Sequence, residues 1–168
     1  MPLSDTLARV DADLAGGRVP VARQRLRGLV SSFPNDLMLR RRLAEVYRLY
    51  GEPAEAGRWM YLEEDRDAAE TSAFEARYGT PVQRMRALAW QGGESLARTA
   101  FAGEQLASVR AACSDAMGHS VDWDAVPSGE KEVGERSPFA DTLAGAGCLV
   151  AILAFLAIWV NGVVALLD

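Results

Sequence analysis

Along the first 117 residues apolar side chains recur at intervals of three and four, the spacing of one helical face. Ser4 or Asp5 is placed to cap a first helix with Leu7, Val10 and Leu14 on its buried side, and Gly16-Gly17 stops it. A second helix opens at Val19-Pro20, since proline fits the first turn. It carries Val21, Ala22, Leu26, Leu29 and Val30 on one face and Arg23, Arg25 and Arg27 around the other sides. Phe33-Pro34-Asn35-Asp36 ends that helix and caps a third, Leu37 to Tyr50, with Leu39, Leu43, Val46, Tyr47 and Tyr50 on its stripe. Gly51 closes it, Pro53 opens a fourth, and Ala56, Trp59, Met60 and Leu62 face inward. After a charged elbow at Glu63 to Asp67, a short helix is expected from Glu70 to Tyr78, with Ala73 and Phe74 packing back. Thr80-Pro81 then starts another, bearing Val82, Met85, Leu88, Ala89 and Trp90 up to Gly92-Gly93. A last helix runs from Ser95 to Met117 with Leu96, Phe101, Leu106 and Val109. No β-branched alternation interrupts the series, so the expected fold class is all-α.

The pattern then changes twice. Residues 118–138 are rich in Gly, Ser, Pro and charge and read as a flexible linker. Trp123 and Val126 stand out within it, either as a contact with the parent domain or as a short docking motif. Leu143 to Leu167 is a run of 25 residues without a charge. A bilayer core needs about 20 apolar helical residues, so this run is expected to be a single C-terminal transmembrane helix. The expected organisation is therefore a helical domain over 1–117, a linker over 118–138 and a membrane anchor over 139–168. The N-terminus lacks the basic and apolar regions of a signal peptide, and Pro2 stands where myristoylation needs glycine. Lys131 and Arg136 precede the span and no basic residue follows it, so the helical domain is expected on the cytoplasmic side of the plasma membrane.

The two N-terminal hairpins repeat. Gly17 and Gly51 are 34 residues apart, as are Ala22 and Ala56, Leu26 and Met60, and Val10 and Ala44. Two helices in a period of 34 resemble the tetratricopeptide repeat, over residues 3–68. Leu43-Ala44, Tyr47, Gly51 and Ala56 stand at that family's signature positions, and Pro34 closes the first unit. The chain departs from the pattern at Asp13, where an aromatic residue would sit, and at Ala68, where proline would. The stretches RQRLRGLVSSFPNDL and RRRLAEVYRLYGEP also resemble an uncharacterised family of actinobacterial proteins, which implies no activity.

Composition narrows the function classes. The net charge is −5, with no basic footprint for nucleic acid. Of 18 basic residues only Lys131 is lysine, the usage of a GC-rich genome. Cys113 and Cys148 form no metal or disulfide pattern. His119, the single histidine, sits in the linker and reads as solvated. The acids at 63–67 lack the alternating ligands and turn glycine of a calcium loop. No cofactor, no metal and no catalytic residue is expected, and the protein is not expected to be an enzyme.

Binding is the remaining class. The tetratricopeptide resemblance implies that the first helix of each unit lines a concave groove, into which Met38, Arg41, Glu45, Arg48 and Leu49 would point. Arg41 and Arg48, two turns apart, are placed to grip the carboxylates of an acidic or C-terminal peptide segment. Two other readings stand: a solvated face paired with Glu45 and neighbouring acids, or a patch for anionic lipid headgroups. In the span, Gly147 with Ala151, then Gly162, give small-residue spacing, and Asn161 is an amide that prefers a partner. Homo- or hetero-association there is an open alternative. The sequence points to a membrane-anchored, non-catalytic adaptor or assembly factor for a protein partner. The alternative is an accessory subunit of a larger membrane complex, recognised through its span.

Overall fold

The computed structural model of the chain describes residues 3–125. Val126, the remainder of the linker and the expected membrane helix, with Gly147, Ala151, Asn161 and Gly162, lie outside them. Among the described residues the fold is all-α, with seven α-helices and one 3-10 turn. In chain order these are α1 (Leu3–Ala15), α2 (Val19–Ser32), α3 (Leu37–Leu49), α4 (Pro53–Met60), α5 (Ala68–Arg77), α6 (Pro81–Leu88) and α7 (Ala100–Met117), with the turn at Glu94–Leu96. Among the described residues, no helix is long and apolar enough to cross a membrane.

Local chemistry accounts for the boundaries. Asp36 caps α3, its side chain accepting from the amides of Met38 and Leu39, and Pro20, Pro53 and Pro81 occupy first turns. Thr80 and Gln83 form a capping box on α6. α5 starts earlier than expected, at Ala68, because the Asp67 carboxylate accepts from the Glu70 amide. α6 ends at Leu88, before Gly92-Gly93, with Ala89 in a left-handed conformation at φ 48°. The expected long helix from Ser95 is broken. Residues 94–96 form the 3-10 turn, Ala97 is extended, and the Thr99 side chain caps α7 by accepting from the Ala102 amide. Leu96, expected on the buried face, is consequently 55% exposed.

The first two hairpins share one geometry. α1 and α3 each have 13 residues and begin 34 apart, and α2 and α4 also begin 34 apart. Gly17 and Gly51 both take φ +69°, a backbone only glycine adopts without strain. Ala22 and Ala56 are both fully buried, as are Val10 and Ala44. These helices enclose one apolar cluster, around Leu26, Leu39, Leu43, Val46 and Trp59. A second cluster lies among α5, α6 and α7, around Phe74, Met85, Leu88, Trp90 and Leu106. Leu37, Tyr61 and Leu62 extend into it from the first hairpins, so the described residues make one compact unit. α4 and α5 cross closely at Gly57, where a Cβ would stand 2.0 Å from the Glu70 carbonyl oxygen.

The compact part does not end at Met117. Val121 and Trp123 are 5% and 3% exposed and join the second cluster. Val121 and Trp123 of the expected linker are therefore packed against the parent domain, while residues 118–120 are exposed.

Candidate functional site

α3 carries all five residues expected in a groove. Met38 and Leu49 are 54% and 67% exposed, and Glu45 is exposed between them. Their spacing along one helix keeps them on one side, as the sequence implies. The two arginines are not free cations. Arg41 makes a bidentate pair with Asp65 at 2.8 and 2.6 Å, and its Nη2 also lies 3.0 Å from Glu63. Arg48 grips Glu70 through Nε and Nη2 at 2.6 and 2.7 Å. Arg42 pairs with Asp11 of α1.

Glu63, Asp65 and Glu70 come from the elbow and the first turn of α5, the segment that follows α4. The hydrogen bond to Asp65, then that to Glu63, holds the Arg41 guanidinium above its ordinary value, and the hydrogen bond to Glu70 does the same for Arg48. The Arg41 hydrogen bond correspondingly lowers the Asp65 carboxyl. Sequence spacing finds the arginines but not their partners, which lie 22 and 24 residues downstream. An acidic ligand at this face would have to displace an internal carboxylate.

The residue the sequence reading passed over is Arg40. It is fully buried. Its Nη1 donates to the Pro34 carbonyl at 3.1 Å and its Nη2 to the Leu88 carbonyl at 2.8 Å. The guanidinium carbon lies 5.1 Å from the Trp59 ring centroid, and Arg58 lies over the same ring at 4.3 Å. Arg58 donates to the Ala87 carbonyl and to Glu55, which also accepts from the Tyr78 hydroxyl at 2.9 Å. Two arginines thus satisfy the last carbonyls of α6, where the helix dipole is negative.

Desolvation, then the Arg58 charge, pushes Arg40 down to about 9, with Glu63 opposing, so it stays cationic at neutral pH. Asn35 closes the same joint, bonding the Gln91 carbonyl at 2.7 Å and the Gln91 amide at 3.2 Å. A signal for Arg40 exists in the sequence: Leu37, Arg40, Ala44 and Tyr47 share one helical face, and the other three are buried.

Cys113 is buried and burial raises its thiol, while His119 is exposed with Nδ1 3.1 Å from the Met117 carbonyl. An open depression of about 500 Å³ is lined by Glu63, Glu64, Asp65, Thr99 and Phe101.

The model of the DUF6584 family matches residues 1–168, the whole of the chain. The chain belongs to this family of unknown function. No curated protein and no solved structure matches it. Membership in DUF6584 assigns no substrate or partner, so the function must be argued from the packing and surfaces described above.

Proposed function

We propose that the helical body is a tetratricopeptide-like interaction domain, held at the cytoplasmic face of a membrane by the apolar segment 143–167. In this reading the protein is a non-catalytic adaptor or assembly factor. The observation that carries it is the coincidence of the two hairpins at a single offset of 34 residues, with matched helix starts, left-handed glycines and buried alanines. Such units stack so that their first helices form a continuous surface for extended partners. With Arg41 and Arg48 held by internal carboxylates, recognition falls first to Met38 and Leu49, exposed apolar side chains beside Glu45. Buried apolar anchors contribute more to affinity than rim charges do.

The test is capture from membranes of the native host by the full chain and by residues 1–128. Both should recover the same protein. Met38→Glu with Leu49→Glu in the full chain should cut recovery at least tenfold while leaving the melting temperature unchanged, since both side chains are exposed. The internal pairing of the arginines favours a second reading, an accessory subunit recognised through its span. Under that reading only the full chain captures the partner. Gly147→Leu or Asn161→Leu then abolishes capture, and Met38→Glu does not.

A further inference from the structure

After α7 the chain doubles back. Gly118 turns it in a left-handed conformation, φ +71°, and the Val121 amide then donates to Ser114 Oγ at 3.0 Å. Asp122 accepts from the Trp123 amide at 2.9 Å and, through its carbonyl, from the Ala125 amide at 3.2 Å. That turn presents Trp123 to the body. The indole N–H donates to Glu94 Oε1 at 3.2 Å, and Asp124 Oδ1 accepts from the Gly92 amide at 3.0 Å.

The receiving side has contacts of its own. Arg110 of α7 holds Glu94, which fixes the carboxylate where an indole N–H meets it. Gly92, at φ +75°, turns its amide toward the Asp124 carboxylate. Leu88, Trp90, Leu106 and Cys113 belong to the buried cluster that takes in Val121 and Trp123. Each contact is one a docked peptide turn makes: two apolar side chains at alternate positions sink in, one indole reaches an acceptor, and one carboxylate caps a main-chain N–H.

We propose that the groove between α7 and residues 90–96 is a peptide-recognition site for a segment of the pattern apolar-x-Trp-acidic. In this chain its own Val121-Asp122-Trp123-Asp124 occupies it. A partner protein presenting the same pattern competes with this strap for a single site. The strap holds the advantage of tethering, an effective concentration of order millimolar for so short a connection. Only a partner of high affinity, or one concentrated beside it, displaces the strap. The inference does not depend on whether the α3 face reads a peptide.

The test uses the full chain carrying Trp123→Ala and a free peptide of residues 118–125. The peptide should bind the variant at least tenfold more tightly than it binds the unaltered chain, and should raise the variant's melting temperature. The same peptide with Trp123→Ala should do neither. A variant with an unchanged helical circular dichroism spectrum that neither binds the peptide nor gains stability from it overturns the proposal. Should the variant not fold, hydrogen exchange on the unaltered chain decides. The Gly92 and Val121 amides should exchange at least tenfold faster than the Val109 amide, by opening of the strap alone. Exchange of all three only with global unfolding overturns the proposal.

Discussion

At the scale of single residues, two of the three buried charges among the described residues, Arg40 and Asp13, depart from the hydrophobic pattern in different ways. Arg40 has no carboxylate on its guanidinium; main-chain carbonyls and the Trp59 ring take that role. Truncation to alanine leaves the Pro34 and Leu88 carbonyls without a donor and opens a cavity. Arg40→Ala should therefore cost about 3 kcal/mol in urea unfolding. Arg40→Met fills most of the cavity but leaves the same two carbonyls without a donor, and should cost about 2 kcal/mol. Equal losses for the two variants would mean that the lost donors, not the packing, set the cost.

Asp13 is the second case. It stands where the repeat pattern asks for an aromatic residue, yet it is buried, with Arg18 Nε at 3.0 Å and Arg25 Nε at 2.7 Å. The equivalent position in the next hairpin, Tyr47, is buried beside Arg23, 6.0 Å from its ring centroid. An ion pair and a ring stacked on a cation fill the same place by different chemistry.

At the scale of elements, the short helix α4 depends on close approach. Gly57 lets α5 cross with the Glu70 carbonyl almost in contact, and Phe74 Cβ lies 3.2 Å from where a Cβ would stand. Gly57→Ala should destabilise by about 2 kcal/mol despite its gain in helix propensity, because the obstruction is main chain and cannot rotate away. Gly28→Ala, with open space around its Cβ, should stabilise by up to about 1 kcal/mol. The pair, read as shifts in urea midpoint, separates crowding from propensity. The starts of α3, α4 and α6 were legible because caps and prolines act locally: Asp36, Pro53 and Thr80 stand where the structure uses them. The end of α6 was not legible, since the groups that satisfy its carbonyls are Arg40 and Arg58, far away in sequence. The start of α7 was misread because the helical spacing of Leu96 and Phe101 outweighed the capping chemistry of Thr99.

At the scale of the whole molecule, ion pairs within and between the elements set the response to acid. The Arg25 hydrogen bond lowers Asp13 against the cost of its burial, and Arg41 lowers Asp65. Burial alone would raise Glu94, but hydrogen bonds from Arg110, its own main chain and Trp123 leave it lowered. Each of these carboxyls binds its proton less readily folded than unfolded. Their contribution is complete above the ordinary carboxyl values of 3.8 for aspartate and 4.5 for glutamate, and is lost as pH falls through the lower folded values. The urea midpoint should stay level from pH 7 to about 5 and drop below about pH 4. Asp13→Asn should flatten that acid limb, and Asp65→Asn should barely change it, because the exposed pair is screened by solvent.

The sequence by itself determined the helices of the described body, the 34-residue offset of its first two hairpins and the face of α3 that carries Met38, Glu45 and Leu49. These follow from periodicity and from caps that act within one or two turns. Only the tertiary structure decided that Arg41 and Arg48 are engaged by Asp65 and Glu70, that Arg40 is buried at the end of α6, and that Trp123 closes the second core. Those outcomes depend on which distant elements meet, and a side chain's pattern along one helix carries no information about the carbonyl or carboxylate brought to it from another.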